Sequence, residues 1–215
     1  WLHPGDIDPL NRRHRIGRRR ECTVQVALIA DTAAVETALL DAGVPVDTRD
    51  GHGRTALLAA THANQVDSAR LLIQRGADVN AKDELQDSPF LYAAAEDRLE
   101  ILLLTLAGGA DLASTNRYGG TALIPAAHHG HVAVVRELLK TRINVDHVNR
   151  LGWTALLEAI ILGDGGPAHV EIVERLVAHG ARLDLADAQG VTPLRHAEQR
   201  GQQAIADFLR RVGAR

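Results

Sequence analysis

The sequence predicts an all-α solenoid of stacked helix-turn-helix units joined by β-hairpin-like finger loops. Three observations predict it. The first is a recurring string: T-A-L-L-A-A at 55–60, S-P-F-L-Y-A-A at 88–94, T-A-L-I-P-A-A at 121–127, T-A-L-L-E-A at 154–159 and T-P-L-R-H-A at 192–197. Its copies begin at Thr55, Ser88, Thr121, Thr154 and Thr192, so the spacings are 33, 33, 33 and 38 residues. The second is a companion string in phase with it: G-A-D-V-N at 76–80, G-A-D-L-A at 109–113, R-I-N-V-D at 142–146 and G-A-R-L-D at 180–184, with an earlier copy, G-V-P-V-D, at 43–47. The third is composition: 46% of the 215 residues are hydrophobic but only 3% aromatic. A thick core leans on rings that bury about 150–250 Å² each, so this chain must use thin layers of Ala, Leu and Val. A unit of this length covers its apolar face only by stacking on its neighbours.

Each element follows from local chemistry. Thr55, Ser88, Thr121, Thr154 and Thr192 are N-cap residues for a first helix, and Pro89 and Pro193 stand at its first position, where a missing N–H costs nothing. The small pairs Ala59-Ala60, Ala93-Ala94 and Ala126-Ala127 let neighbouring first helices approach closely. Second helices carry aliphatics at helical spacing, as in Ala69, Leu71, Leu72 and Ile73, or Val134, Val135, Leu138 and Leu139, or Ile172, Val173, Leu176 and Val177. Gly43, Gly76, Gly109 and Gly180 then occupy the helix-ending position that favours a left-handed residue.

Between units runs a turn: D-G-H-G-R-T from Asp50, N-R-Y-G-G-T from Asn116, N-R-L-G-W-T from Asn149 and D-A-Q-G-V-T from Asp187. From Asp83 it reads D-E-L-Q-D-S, with Gln86 in the glycine position, so that finger is expected to bend differently. Six units result, at about 22–49, 50–82, 83–115, 116–148, 149–186 and 187–215. The first lacks the turn string and reads as an N-terminal cap; the last ends in a polar helix, as a C-terminal cap should. The longer spacing in the fifth unit reads as a five-residue insertion around 161–169, and Gly165-Gly166-Pro167 predicts an extended inter-helix loop there. No lysine–Ser/Thr pair follows that loop and no strand precedes it, which argues against a phosphate cradle.

The turn D-x-x-G-x-T-P-L-H-x-A-A followed by L-L-x-x-G-A-D-V-N is the pattern of the ankyrin repeat, which residues 22–215 resemble. The resemblance implies a non-enzymatic scaffold that binds a partner protein on a concave face of finger tips and first helices. Carried over position by position, the finger tips are His52 and Arg54, Leu85 and Asp87, Tyr118 and Gly120, Leu151 and Trp153, and Gln189 and Val191. The first-helix ends add His62, Glu96, His128, His129, Ile161 and Leu162. Tyr118, Leu151, Trp153, Ile161 and Leu162 gather in the fourth and fifth units, and exposed aromatics flanked by aliphatics are how hot spots look. The expected protein-binding surface is therefore His52, Arg54, Leu85, Asp87, Tyr118, His128, His129, Leu151, Trp153, Ile161 and Leu162, centred on repeats three to five. One departure bears on stability: the histidine of T-P-L-H is replaced by Leu58, Leu91, Ile124, Leu157 and Arg195, so a more apolar tie between repeats is expected. His131 and His169 align with the residue that opens a second helix and are expected to cap it.

Other functions are constrained by what the chain holds. A single cysteine, Cys22, excludes a disulfide framework, and no nucleophile–base or metalloprotease motif occurs, so no catalytic residue and no cofactor are expected. No apolar run reaches the roughly 18–20 residues of a membrane span, so a soluble monomer is expected. A cytoplasmic location fits the chain as given, and a periplasmic or secreted one if a signal peptide precedes it. Residues 1–20 form a basic arm of charge +4 with six arginines between 12 and 20, leaving −7 for residues 21–215. Two alternative functions follow from particular residues. The arm at 12–20 could bind nucleic acid or an anionic surface, and His128 with His129 could begin a metal site, which needs three or four convergent ligands.

Overall fold

The computed structural model describes Thr37, Asp41 and residues 43–215. The basic arm at 12–20, Cys22 and most of the first unit lie outside the described residues. Ten helices follow in five hairpins. They are α1 (Ala56–His62) and α2 (Val66–Gln74), α3 (Pro89–Ala95) and α4 (Leu99–Ala107), α5 (Leu123–His128) and α6 (Val132–Leu139), α7 (Ala155–Ile161) and α8 (Pro167–Ala178), and α9 (Pro193–Gln199) and α10 (Gln203–Arg211). First helices pack on first helices and second on second. One continuous core runs from Leu57 to Leu209, floored by Ala60, Ala93, Ala94, Ala126, Ala127 and Ala159, all fully buried. The alanine pairs thus set the layer spacing, as their small volume requires.

The caps form largely as the sequence predicts. Thr55, Ser88, Thr154 and Thr192 accept hydrogen bonds from the amides of Leu58, Leu91, Leu157 and Arg195. Thr121 is the exception: α5 starts two residues later, and its buried hydroxyl is left without a partner. Gly76, Gly109 and Gly180 end their helices at φ +86°, +86° and +89°.

Two expectations are corrected. Gln86 takes φ +64°, beside +74° to +81° for the glycines at the same place in the other fingers, so the finger bends as they do. A left-handed non-glycine residue costs about 1–2 kcal/mol, and glycine's extra freedom in the unfolded chain takes back about 0.5–1. Gln86→Gly is therefore expected to stabilise the fold by about 0.5–1 kcal/mol in urea titrations; no gain would mean that the Gln86 side chain recovers the strain. The insertion also differs from the extended loop expected of it. The usual connection between paired helices is three residues, as at 63–65, 96–98, 129–131 and 200–202. Here it spans 162–166, and α8 begins at Pro167, three residues before the usual start, so most of the insertion lengthens the helix.

The tie between repeats is also more polar than expected. His131 and His169, which the alignment made capping residues, instead reach across to the preceding repeat. His131 Nε2 bonds the Ala95 carbonyl at 3.0 Å, and His169 Nε2 bonds the His128 carbonyl at 2.8 Å. Gln202 Nε2 donates to the Ile160 and Gly163 carbonyls. These side chains satisfy the carbonyls left over at the ends of α3, α5 and α7. His169 is held from its other side by Asp164, 2.8 Å from Nδ1.

Candidate partner-binding groove

Every finger is built on one Asx residue. The side-chain Oδ1 of Asp50, Asp83, Asn116, Asn149 and Asp187 accepts from the amides two and four residues later. A backbone bond from the Asx amide to the carbonyl four residues on closes each turn. Apart from one isolated bridge between Arg49 and Thr55, no strand pairing occurs among the described residues. The fingers are stiff turns that present the two residues at their tips. Neighbouring fingers touch where Glu84 N donates to the His52 carbonyl and Arg150 N donates to the Tyr118 carbonyl.

Between the fingers and the first helices of repeats two to five lies a groove of about 560 Å³. It gathers Leu85, Asp87, Tyr118, His128, His129, Leu151 and Leu162 of the surface expected from sequence. Leu85, Tyr118, Leu151 and Leu162 are between 44% and 56% exposed, which is unusual for side chains this apolar and marks the groove as a surface with free apolar area. Arg117 stands over the Tyr118 ring at 5.0 Å, and 3.9 Å from Asp87. The remaining expected residues lie elsewhere. His52 is exposed at the tip of the preceding finger, and Arg54 is turned onto Asp50 at 2.8 Å. Trp153 is half-buried and does not line the groove. Ile161 is only 6% exposed, because the last turn of α7 packs inward, so it is a core residue rather than an exposed one.

Sequence reasoning missed the groove's polar floor. Glu158, on α7, is 7% exposed; its Oε1 accepts from Asn149 Nδ2 at 2.7 Å, and its Oε2 lies 3.8 Å from His128 Nδ1. Burial pushes the Glu158 carboxyl up to about 7, only partly offset by the Asn149 amide. The signal was present in T-A-L-L-E-A, where a carboxylate stands at the position held by Ala59, Tyr92, Pro125 and His196 in the other copies. Asp87 is also raised, by burial first and then by Asp83. Burial holds His62, His128 and His129 below the ordinary imidazole value, His128 also through its histidine neighbours. His62 stacks on Tyr92 at 3.7 Å, and His128 on His129 at 4.3 Å. Among the described residues no three His, Cys, Asp or Glu side chains converge in a way that could hold a metal ion.

Descriptions of the ankyrin repeat match residues 52–84 and 151–188, and a three-copy ankyrin description matches 90–167. The chain belongs to the ankyrin-repeat family. A solved ankyrin repeat domain from Acinetobacter baumannii AYE is 52% identical, with TM-score 0.86, over 90% of this chain and 98% of that one. The solved ankyrin repeat protein EF0377 is 39% identical, with TM-score 0.84, over 90% of this chain and 97% of that one. Among curated proteins, YahD of Escherichia coli (strain K12), named as an ankyrin repeat protein, is 47% identical over 57 residues, 26% of this chain. The match spans 28% of YahD's length. Ankyrin repeats generally serve as protein-interaction domains, and no described helix is long and apolar enough to cross a membrane.

Proposed function

We propose that this ankyrin-repeat chain is a non-enzymatic scaffold that binds a partner protein in the groove across repeats three to five. The observation that carries the reading is the set of exposed apolar side chains lining one groove: Leu85, Tyr118 and Leu151 on fingers whose backbone is fixed by Asx bonds, and Leu162 at the end of α7. Preformed fingers lose little conformational freedom on binding, so more of the contact energy appears as affinity. His52, Arg54 and Trp153 fit the rim of such an interface better than its centre.

Tyr118→Ala tests it. Tyr118 is 55% exposed, so its removal is expected to leave the melting temperature unchanged. Loss of an interface anchor should weaken binding by about 2 kcal/mol, roughly thirtyfold. Affinity capture with intact protein and with Tyr118→Ala, followed by titration of the purified prey, measures it. A prey held equally by both proteins would sink the groove.

A further inference from the structure

In repeats five and six the Asx residue of the finger meets the first-helix residue nine positions on. In repeat six the pair is Asp187 and His196, which meet at 2.8 Å and satisfy each other. In repeat five it is Asn149 and Glu158. Asn149 is itself buried, and its Oδ1 is committed to the amides of Leu151 and Trp153, so its amide nitrogen must point at Glu158. A neutral amide gives Glu158 one hydrogen bond and no counter-charge. Oε2 of Glu158 is left with no hydrogen bond, on a side chain 9% exposed that lines the groove. A buried carboxylate without a counter-charge is costly, and the base beside it, His128 with Nδ1 3.8 Å from Oε2, is held below the ordinary imidazole value by burial and its histidine neighbours. Among the described residues that line the groove the one Lys or Arg is Arg117, which is engaged with Asp87 and the Tyr118 ring. Asp87 and Glu96 add further negative charge along the same floor.

We propose that Glu158 anchors a basic side chain, a lysine or arginine, of an extended partner segment whose apolar residues pack on Tyr118, Leu151 and Leu162. The inference rests on the groove being the partner-binding face. A basic side chain suits the site in both parts: its aliphatic stem lies against Tyr118 and Leu151, and its charged end completes Oε2. An acidic or purely apolar segment would leave the Glu158 carboxylate more deeply buried and still unpaired, which selects against it.

The test pans a phage-displayed random peptide library on the intact chain in mildly alkaline buffer. Enriched peptides are then titrated by fluorescence anisotropy against the parent protein, Glu158→Gln and Tyr118→Ala. Gln preserves the bond from Asn149, and unchanged circular dichroism verifies its fold. The expected result is a shared Lys or Arg among apolar residues, with affinity falling about tenfold or more on Glu158→Gln, as when a charged hydrogen bond is lost. Replacing that peptide residue by norleucine should produce the same loss without touching the protein. Peptides that are lost with Tyr118→Ala but lack a basic residue, or that bind Glu158→Gln as before, would overturn the anchor and leave the groove standing. Peptides indifferent to both variants, or no enrichment at all, would overturn the groove and the anchor together.

Discussion

Replacing Glu158 by glutamine is expected to raise stability by about 3 kcal/mol in mildly alkaline solution and to give no gain under acid. The folded carboxyl sits at about 7 against an ordinary 4.5, because burial penalises its ionised form. Between those values the folded chain holds a proton that the unfolded chain has released, so the parent's stability falls as pH rises from about 4.5 to 7 and is level above. At about 1.4 kcal/mol per unit, the gap comes to roughly 3 kcal/mol. Glutamine resembles the protonated acid and escapes that cost. The other titrating groups around Glu158 are present in both proteins: His128 from α5, Asp87 and Glu96 across the groove, and on α9 Arg195 and His196, which are turned to Glu198 and Asp187. His62 and His129 pull the other way, losing stability as pH drops below about 6.5, but this cancels in the difference between the two proteins; His128, 3.8 Å from the replaced carboxylate, adds a smaller pH dependence of its own. Urea titrations of both at several pH values would measure it. A difference that does not change with pH would show that Glu158 is not uncompensated. If it holds, the groove keeps a destabilising charge that only binding would repay, a trade expected where function opposes stability.

Phe90→Ala should cost about 3–5 kcal/mol, the range for deleting a fully buried ring. Phe90 is 0% exposed, the only Phe, Tyr or Trp buried among the described residues, and sits near the start of α3 in the middle of the stack. A core otherwise made of Ala, Leu, Ile and Val has few large side chains that could slide into the hole. Because each repeat is held chiefly by its neighbours, the loss falls on the interfaces of the third repeat with both sides. The thermal transition is therefore expected to broaden or to split as the two ends uncouple, as read by circular dichroism and calorimetry. A single sharp transition with a loss below about 1 kcal/mol would show that α3 collapses onto the cavity.

Particular residues show how far the chain could be read directly. Ser88 and Thr154 cap helices because capping is decided within four residues, and Gly76 ends one for the same reason. Thr121 obeys the same local rule and does not cap, because α5 starts two residues beyond it. Leu85, Tyr118, Leu151 and Leu162 were placed on the groove by their register in the finger and helix strings, which a repeat fixes. Ile161 and Leu162 differ by one position, and only the packing of α7 decides that the first is buried and the second exposed. Gln86 could not be judged from its own chemistry, since the finger's closing bonds impose the left-handed geometry regardless of the residue.

The sequence by itself determined the family, the number of stacked hairpins in the described region and which helix faces meet. Those properties depend on contacts within a repeat or between adjacent identical positions, so a period of 33 residues encodes them. Only the tertiary structure decided that most of the insertion extends α8, that His131, His169 and Gln202 tie repeats through stray carbonyls, and that Asn149 aims its amide at Glu158. Each of these joins groups from different repeats or from different elements of one repeat. Their energy depends on burial and on angstrom-scale distances, which a string of residue types does not carry.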